Sequence, residues 1–125
     1  MLSRVAVGRL AETVAAGYLE LRGFTVLDRN YRFGPLELDL VARKDRLLVV
    51  AEVKYRAGSR FGGARAAVGR DKRRALETAA VAWRKHRAVR GVTVRFDVIV
   101  VEDEPNGLRV VHLPNAFEAS GRYRG

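Results

Sequence analysis

The sequence predicts an α/β domain: a sheet of about five strands flanked by helices, in the order α-β-β-β-α-β-β. Three observations predict it. Apolar residues recur at helical spacing over 3–21 and 71–87. Runs rich in valine and leucine occupy 24–31, 36–43, 48–55, 92–101 and 108–113. Gly, Pro and Asn punctuate the gaps between them. A chain of 125 residues is long enough for one well-buried core, so 1–118 is expected to be a single domain, with 119–125 as a polar tail.

Ser3 is placed to cap the first helix, whose stripe is expected at Leu10, Val14, Gly17, Tyr18 and Leu21, with Gly23 ending it. Glu12 falls at the edge of that stripe. A strand over 24–31 follows, and Asn30 with Gly34-Pro35 separates it from the next. Residues 56–69 (RAGSRFGGARAAVG) are the least regular stretch, fitting either a loop that orders against a phosphate backbone or a flexible connector. Asp71 is expected to cap a second helix to about Arg87, buried along Leu76, Ala79, Ala80 and Trp83. Its first turn carries Lys72, Arg73 and Arg74, which oppose the helix dipole and so favour phosphate contact over stability. The β-branched run 92–101 is expected to be a central strand, the acidic turn 102–107 (EDEPNG) leads to a last strand over 108–113, and Asn115 begins the polar tail. Asp97 interrupts the apolar run; it can join an acidic site or pair with a neighbouring arginine, and pairing is the better expectation.

The most informative stretch is the hairpin formed by 36–43 (LELDLVAR) and 48–55 (LVVAEVKY). With a turn centred on Asp45-Arg46, Asp39 stands opposite Glu52 and Glu37 opposite Lys54. All four would share one side of the sheet, leaving Leu38, Leu40, Ala51 and Val53 on the other. A charged outer face is ordinary in antiparallel sheets. Here, however, Val49, Val50, Ala51 and Val53 surround Glu52, and a carboxylate in such a run is costly unless paired or bound to metal. Like charges directly opposite are destabilising, so Asp39 facing Glu52 calls for a cation, and a hard divalent ion suits oxygen donors.

The composition narrows the partners. The chain has no cysteine and only two histidines, which excludes disulfides, thiolate chemistry and a histidine-rich zinc site. No apolar run is long enough to span a bilayer and the first residues lack a signal-peptide core, so a soluble cytoplasmic protein without a membrane partner is expected. The net charge is +10, and only four of the 24 basic residues are lysines. A GC-rich genome accounts for arginine over lysine but not for the basic excess, which points to nucleic acid.

Several short matches occur in order: Ala11-Glu12, Gly23-Phe24, residues 29–32 (RNYR), 37–42 (ELDLVA), 52–56 (EVKYR), Phe61-Gly62, 72–74 (KRR) and 95–98 (RFDV). Across residues 8–114 this ordered set resembles the YraN-like family of small predicted endonucleases, which is similar to archaeal Holliday-junction resolvases and belongs with the PD-(D/E)xK nucleases. The resemblance implies a restriction-endonuclease-like core with a mixed sheet. It implies that Asp39 and Glu52, with the Val53 carbonyl, hold Mg²⁺ or Mn²⁺, that Lys54 assists the attacking water, and that Glu12 and Glu37 complete the catalytic set. Ala11 and Leu36 stand where the family usually has glycine before each glutamate.

On this basis the expected function is metal-dependent hydrolysis of phosphodiester bonds in structured or branched DNA. Arg56, Arg60, Arg65, Lys72, Arg73 and Arg74 would hold the backbone, giving affinity without sequence specificity. A resolvase role would require a homodimer presenting two sites. The alternative is a non-catalytic nucleic-acid-binding module on the same fold. A two-carboxylate glycosidase ranks well below both, because it leaves the basic surface and Lys54 unexplained.

Overall fold

Five strands pair side by side in chain order into one mixed sheet, β1-β2-β3-β4-β5, in a computed structural model that describes residues 3–57 and 68–117. The elements are α1 (Arg4–Leu21), β1 (Thr25–Phe33), β2 (Leu36–Lys44), β3 (Leu47–Arg56), α2 (Arg70–Arg87), β4 (Thr93–Glu104) and β5 (Gly107–Phe117). Only β3 and β4 run parallel. Parallel neighbours need a crossover, and α2 lies within it. The α/β class and the element order match the sequence-based expectation. Among the described residues no helix is long and apolar enough to cross a membrane.

The helices cover opposite faces. Leu48, Val50, Phe96, Val98 and Val100 pack with Leu76, Ala79, Ala80 and Trp83 of α2. The alternate residues Val49, Ala51 and Ile99 pack with Ala15, Ala16 and Leu19 of α1. A strand buried on both faces must be apolar at every position, and residues 48–51 and 98–101 are. The middle strand is β3 rather than the run beginning near residue 92, which is interior but second from the edge.

The buried line of α1 is Ala11, Ala15, Ala16 and Leu19, one step round from the expected stripe; Leu10 and Leu21 are exposed. Small side chains at Ala11, Ala15 and Ala16 let this helix lie close to the sheet beside Leu19, while Val5, Leu10 and Leu21 are left outside. Ser3 caps as expected, accepting from the Ala6 amide at 3.1 Å. At the other end Gly23 has φ +91°, with Gly23 N–H donating to Glu20 and Phe24 N–H to Leu19, the Schellman arrangement. α2 differs from expectation at its start. Gly69 is the cap residue, without a side-chain hydrogen bond, and Asp71 lies inside the first turn. At the other end of the fold, β5 continues past Asn115 to Phe117, which is buried and stacked on Phe96 at 4.8 Å. The expected tail at 119–125 lies outside the described residues.

One irregularity positions the site. β1 and β2 pair at Arg29↔Leu40 and again at Tyr31↔Leu38. Residues two apart on a regular strand share a face. Leu40 packs on the α1 side and Leu38 on the α2 side, so the alternation breaks at Asp39. The facing residue, Asn30, has φ +50°. Leu38 and Leu40 therefore do not share a face as the hairpin pattern led one to expect, and Glu37 is turned toward α1.

Candidate metal centre

Three elements deliver carboxylates to this step in the sheet. Oxygens of Glu12 (α1), Glu37 and Asp39 (both β2) all lie within 4.8 Å of one another. Glu12 follows buried Ala11, so it leaves the helix at the boundary between core and solvent. Burial raises its pKa above the usual range; the Glu37 and Glu52 charges add to that, while a hydrogen bond with Asn30 and the charge of Arg9 oppose it. Glu37 pairs in register with Arg32 on β1 and forms a 3.0 Å ion pair with it. It thus stands with Arg32 rather than opposite Lys54, because the break at Asp39 reverses its face.

Asp39 sits where β2 and β3 part. Their ladder runs from Lys44↔Leu47 to Leu40↔Ala51, the register expected from the turn, and ends there. The next positions are Asp39 and Glu52. Instead of a strand carbonyl, the Val53 amide finds Asp39 Oδ2 at 2.9 Å. Burial first, then the adjacent Glu52 charge, pushes the Asp39 carboxyl up to about 8 despite the Val53 hydrogen bond. At neutral pH without metal, Asp39 therefore holds a proton. Glu52 has a different counter-charge, the Lys72 ammonium of α2 at 3.4 Å from Oε2.

The site thus gathers Glu12, Glu37, Asp39 and Glu52. Val53 is also present, through its amide contact with Asp39. Lys54 is half-buried two residues beyond Glu52, but among the described residues the cation in an ion pair with Glu52 is Lys72. Of the expected backbone-holding residues, Lys72, Arg73 and Arg74 are exposed in the first turn of α2. Arg73 also donates to the Val68 carbonyl at 2.7 Å and stacks its guanidinium 5.5 Å from the Phe117 ring. Arg56 is half-buried at the end of β3, in register with Glu102. Arg60 and Arg65 lie outside the described residues. Sequence reasoning missed two participants, Asn30 and Arg32. Their signal is weak: an asparagine just before the Gly34-Pro35 break, in a position tolerant of positive φ.

Asp97 takes the arginine pairing. Its buried carboxylate accepts from Arg95 Nε and Nη2 at 2.8 Å each, from the Asn115 amide at 3.0 Å and from His112 Nε2 at 2.7 Å. The other histidine, His86, meets the Tyr31 hydroxyl. Neither faces the acidic cluster, whose donors are all oxygen. An all-carboxylate set held partly out of water, one member forced to keep its proton, fits a hard divalent cation such as Mg²⁺ or Mn²⁺.

The sequence comparisons concern this same stretch of chain. Residues 11–101 match the family described as Uncharacterised protein family UPF0102. A UPF0102 protein of Syntrophotalea carbinolica is 42% identical over 118 residues, covering 94% of this chain and 96% of its own. One from Frankia alni is likewise 42% identical over 118 residues, with 94% and 98% covered. Another from Anaeromyxobacter dehalogenans is 40% identical over 119 residues, with 95% and 89% covered. The matched segment spans Glu12, Glu37, Asp39 and Glu52 together with the helix that carries Lys72, so the chain belongs to the UPF0102 family, the YraN-like group its motifs resemble.

Proposed function

We propose that the chain is a metal-dependent endonuclease that hydrolyses phosphodiester bonds in structured or branched DNA. The convergence of Glu12, Glu37 and Asp39 within 4.8 Å, with Glu52 pressing on Asp39, carries this reading. Asp39 and Glu52 would hold Mg²⁺ or Mn²⁺, with Glu37 and Glu12 completing the oxygen set. Such a cation, when bound, polarises a phosphate and lowers the pKa of water beside it. The protein's own groups do the rest. With a cation bound, Asp39 would be ionised, and the Val53 amide would keep the carboxylate oriented. Lys72, now paired with Glu52, would then be free to offer its ammonium to a phosphate oxygen. Lys54, on the same strand as Glu52, supplies positive charge where negative charge develops on the phosphate. Water adds across one P–O ester bond, leaving a phosphomonoester and a hydroxyl.

Neither a zinc finger nor a helix-turn-helix pattern occurs in the sequence, which favours reading of DNA shape over base sequence. The second reading, a binding module without turnover, draws on the Lys72–Glu52 ion pair, since a cation already in place lessens the need for metal. Incubating the purified protein with branched, flapped and linear DNA in Mg²⁺ or Mn²⁺ separates the two. Cleavage that disappears in Asp39→Ala and Lys54→Ala supports the enzyme. Binding without cleavage in every protein supports the module.

A further inference from the structure

A second basic surface flanks the acidic cluster, on the side away from α2. A groove of about 420 Å³ runs between the N-terminal half of α1 and the end of β1, lined by Arg4, Gly8, Arg9 and Arg32 beside Glu12 and Glu37. We infer that this groove binds backbone phosphates of the nucleic-acid strand entering or leaving the carboxylate cluster. The inference rests on the proposed function, whose metal and substrate it extends by a defined path.

Four observations support it. First, charge: three guanidiniums face two carboxylates, and those two belong to the proposed cation site. A divalent ion there would offset part of the cluster's negative charge and leave the three guanidiniums in clearer excess over the two carboxylates. Second, availability: Arg32 is tied to Glu37, but Arg4 and Arg9 are exposed and in no ion pair among the described residues. Third, chemistry: among the described residues no aromatic side chain lines the groove, so they offer no stacking platform for bases. Guanidiniums without aromatics select phosphate. Fourth, shape: a Cβ at Gly8 would meet nothing within 4 Å, so this helical glycine answers no packing demand and leaves space above the helix. Lys72 approaches the cluster from α2, while Arg4, Arg9 and Arg32 approach it from α1 and β1. A strand crossing the carboxylates would thus meet cations on both sides of the scissile bond.

The test measures binding of a fluorescent DNA duplex by anisotropy in Ca²⁺ across a salt series, with Arg4→Gln/Arg9→Gln, Arg4→Lys/Arg9→Lys and Gly8→Leu compared to the unaltered protein. Losing two phosphate contacts should lower the log–log salt slope by about 1.8, and the lysine pair should restore it. Gly8→Leu fills the groove without changing charge. It should weaken binding while raising the melting temperature, because leucine is the better helix former, so a folding defect cannot imitate the result. Calorimetric Mn²⁺ binding should persist in all three. Unchanged slope and affinity in both Arg4→Gln/Arg9→Gln and Gly8→Leu overturn the groove assignment, even if the unaltered protein cleaves DNA and the hydrolase reading stands. Should the unaltered protein bind DNA but never cleave it, hydrolysis falls while the slope still decides the groove. No binding of any DNA by the unaltered protein overturns both.

Discussion

Asp39 Oδ2 accepts the Val53 amide hydrogen at 2.9 Å at the point where β2 and β3 stop pairing. A carboxylate thereby does the work of a missing strand carbonyl, which fixes its direction but leaves its charge unbalanced beside Glu52. Burial first, then the Glu52 charge, raises its pKa to about 8 against the opposing Val53 hydrogen bond. The folded, metal-free protein holds this proton well above the ordinary value of 3.8, whereas the unfolded chain releases it near there. Stability from this group is complete below about pH 4 and declines as pH rises toward 8. Asp39→Asn keeps an acceptor for Val53 and removes the charge. Thermal melts of the metal-free proteins at pH 5 and pH 8 should show the native protein losing stability over that interval and the variant losing less. A variant with the same pH dependence as the native protein would discard this account of Asp39.

Because Asp39 must lose its proton to take a cation, Mn²⁺ affinity should fall about tenfold for each pH unit below 8, over the range where that proton is held. Calorimetry at pH 6, 7 and 8 checks this, and in two buffers of different ionisation enthalpy it should show close to one proton released at pH 7. Affinity independent of pH would mean that the cation sits elsewhere.

Lys72 and Lys54 should separate by experiment. Lys72 Nζ is 3.4 Å from Glu52 and its side chain is half exposed, so the ion pair contributes at most about 1 kcal/mol to stability. Lys72→Ala should therefore leave the melting temperature nearly unchanged. It removes a cation that a divalent ion has to displace, so Mn²⁺ should bind about three- to tenfold tighter. If the proposed function holds, DNA cleavage should nevertheless fall, since Lys72 would no longer be there to meet a phosphate. Lys54→Ala should lower cleavage without tightening Mn²⁺. Identical metal titrations for the two variants would count against Lys72 as the resident counter-charge.

The hairpin register is legible in the sequence because Asp45-Arg46 fixes the turn and every later pair follows from it, down to Leu40↔Ala51. The convergence of Asp39 and Glu52 is legible for the same reason. The placement of Glu37 is not. Its face depends on the break at Asp39 opposite Asn30, and a positive φ at an asparagine leaves only a faint trace in residue type. The α1 stripe misleads differently: large apolar residues recur at Leu10, Val14 and Leu21, but the surface that fits the sheet is made of three alanines and Leu19. Apolar periodicity locates a helix well and its buried line only to within a residue.

That displaced stripe makes a paired prediction. Leu19 is fully buried against Leu40, Ala42, Val49 and Ile99, whereas Leu10 is 48% exposed. Leu19→Ala should cost about 2–5 kcal/mol and Leu10→Ala less than about 0.5 kcal/mol. Urea unfolding of both variants measures the difference. Comparable losses would restore the stripe through Leu10 and refute the observed rotation of α1.

The Asp97 cluster should prove structural. Burial alone would raise its pKa, but His112, Arg95 and the Asn115 amide outweigh that and hold it below the usual carboxylate range. His112 Nε2 lies 2.7 Å from Asp97 and its Nδ1 meets the Tyr18 hydroxyl at 3.1 Å, so the ring joins α1 to β4 and β5. A lowered folded pKa means stability that is present above about pH 4 and lost as acid titrates the carboxylate. His112→Ala removes one of its donors, and the cost should be about 1–3 kcal/mol near pH 7. The difference from the native protein should shrink as acid protonates Asp97. Mn²⁺ binding should not change, since none of these groups reaches Glu12, Glu37 or Asp39. A His112→Ala protein that is fully stable but binds Mn²⁺ poorly would place His112 in the metal centre and reverse that assignment.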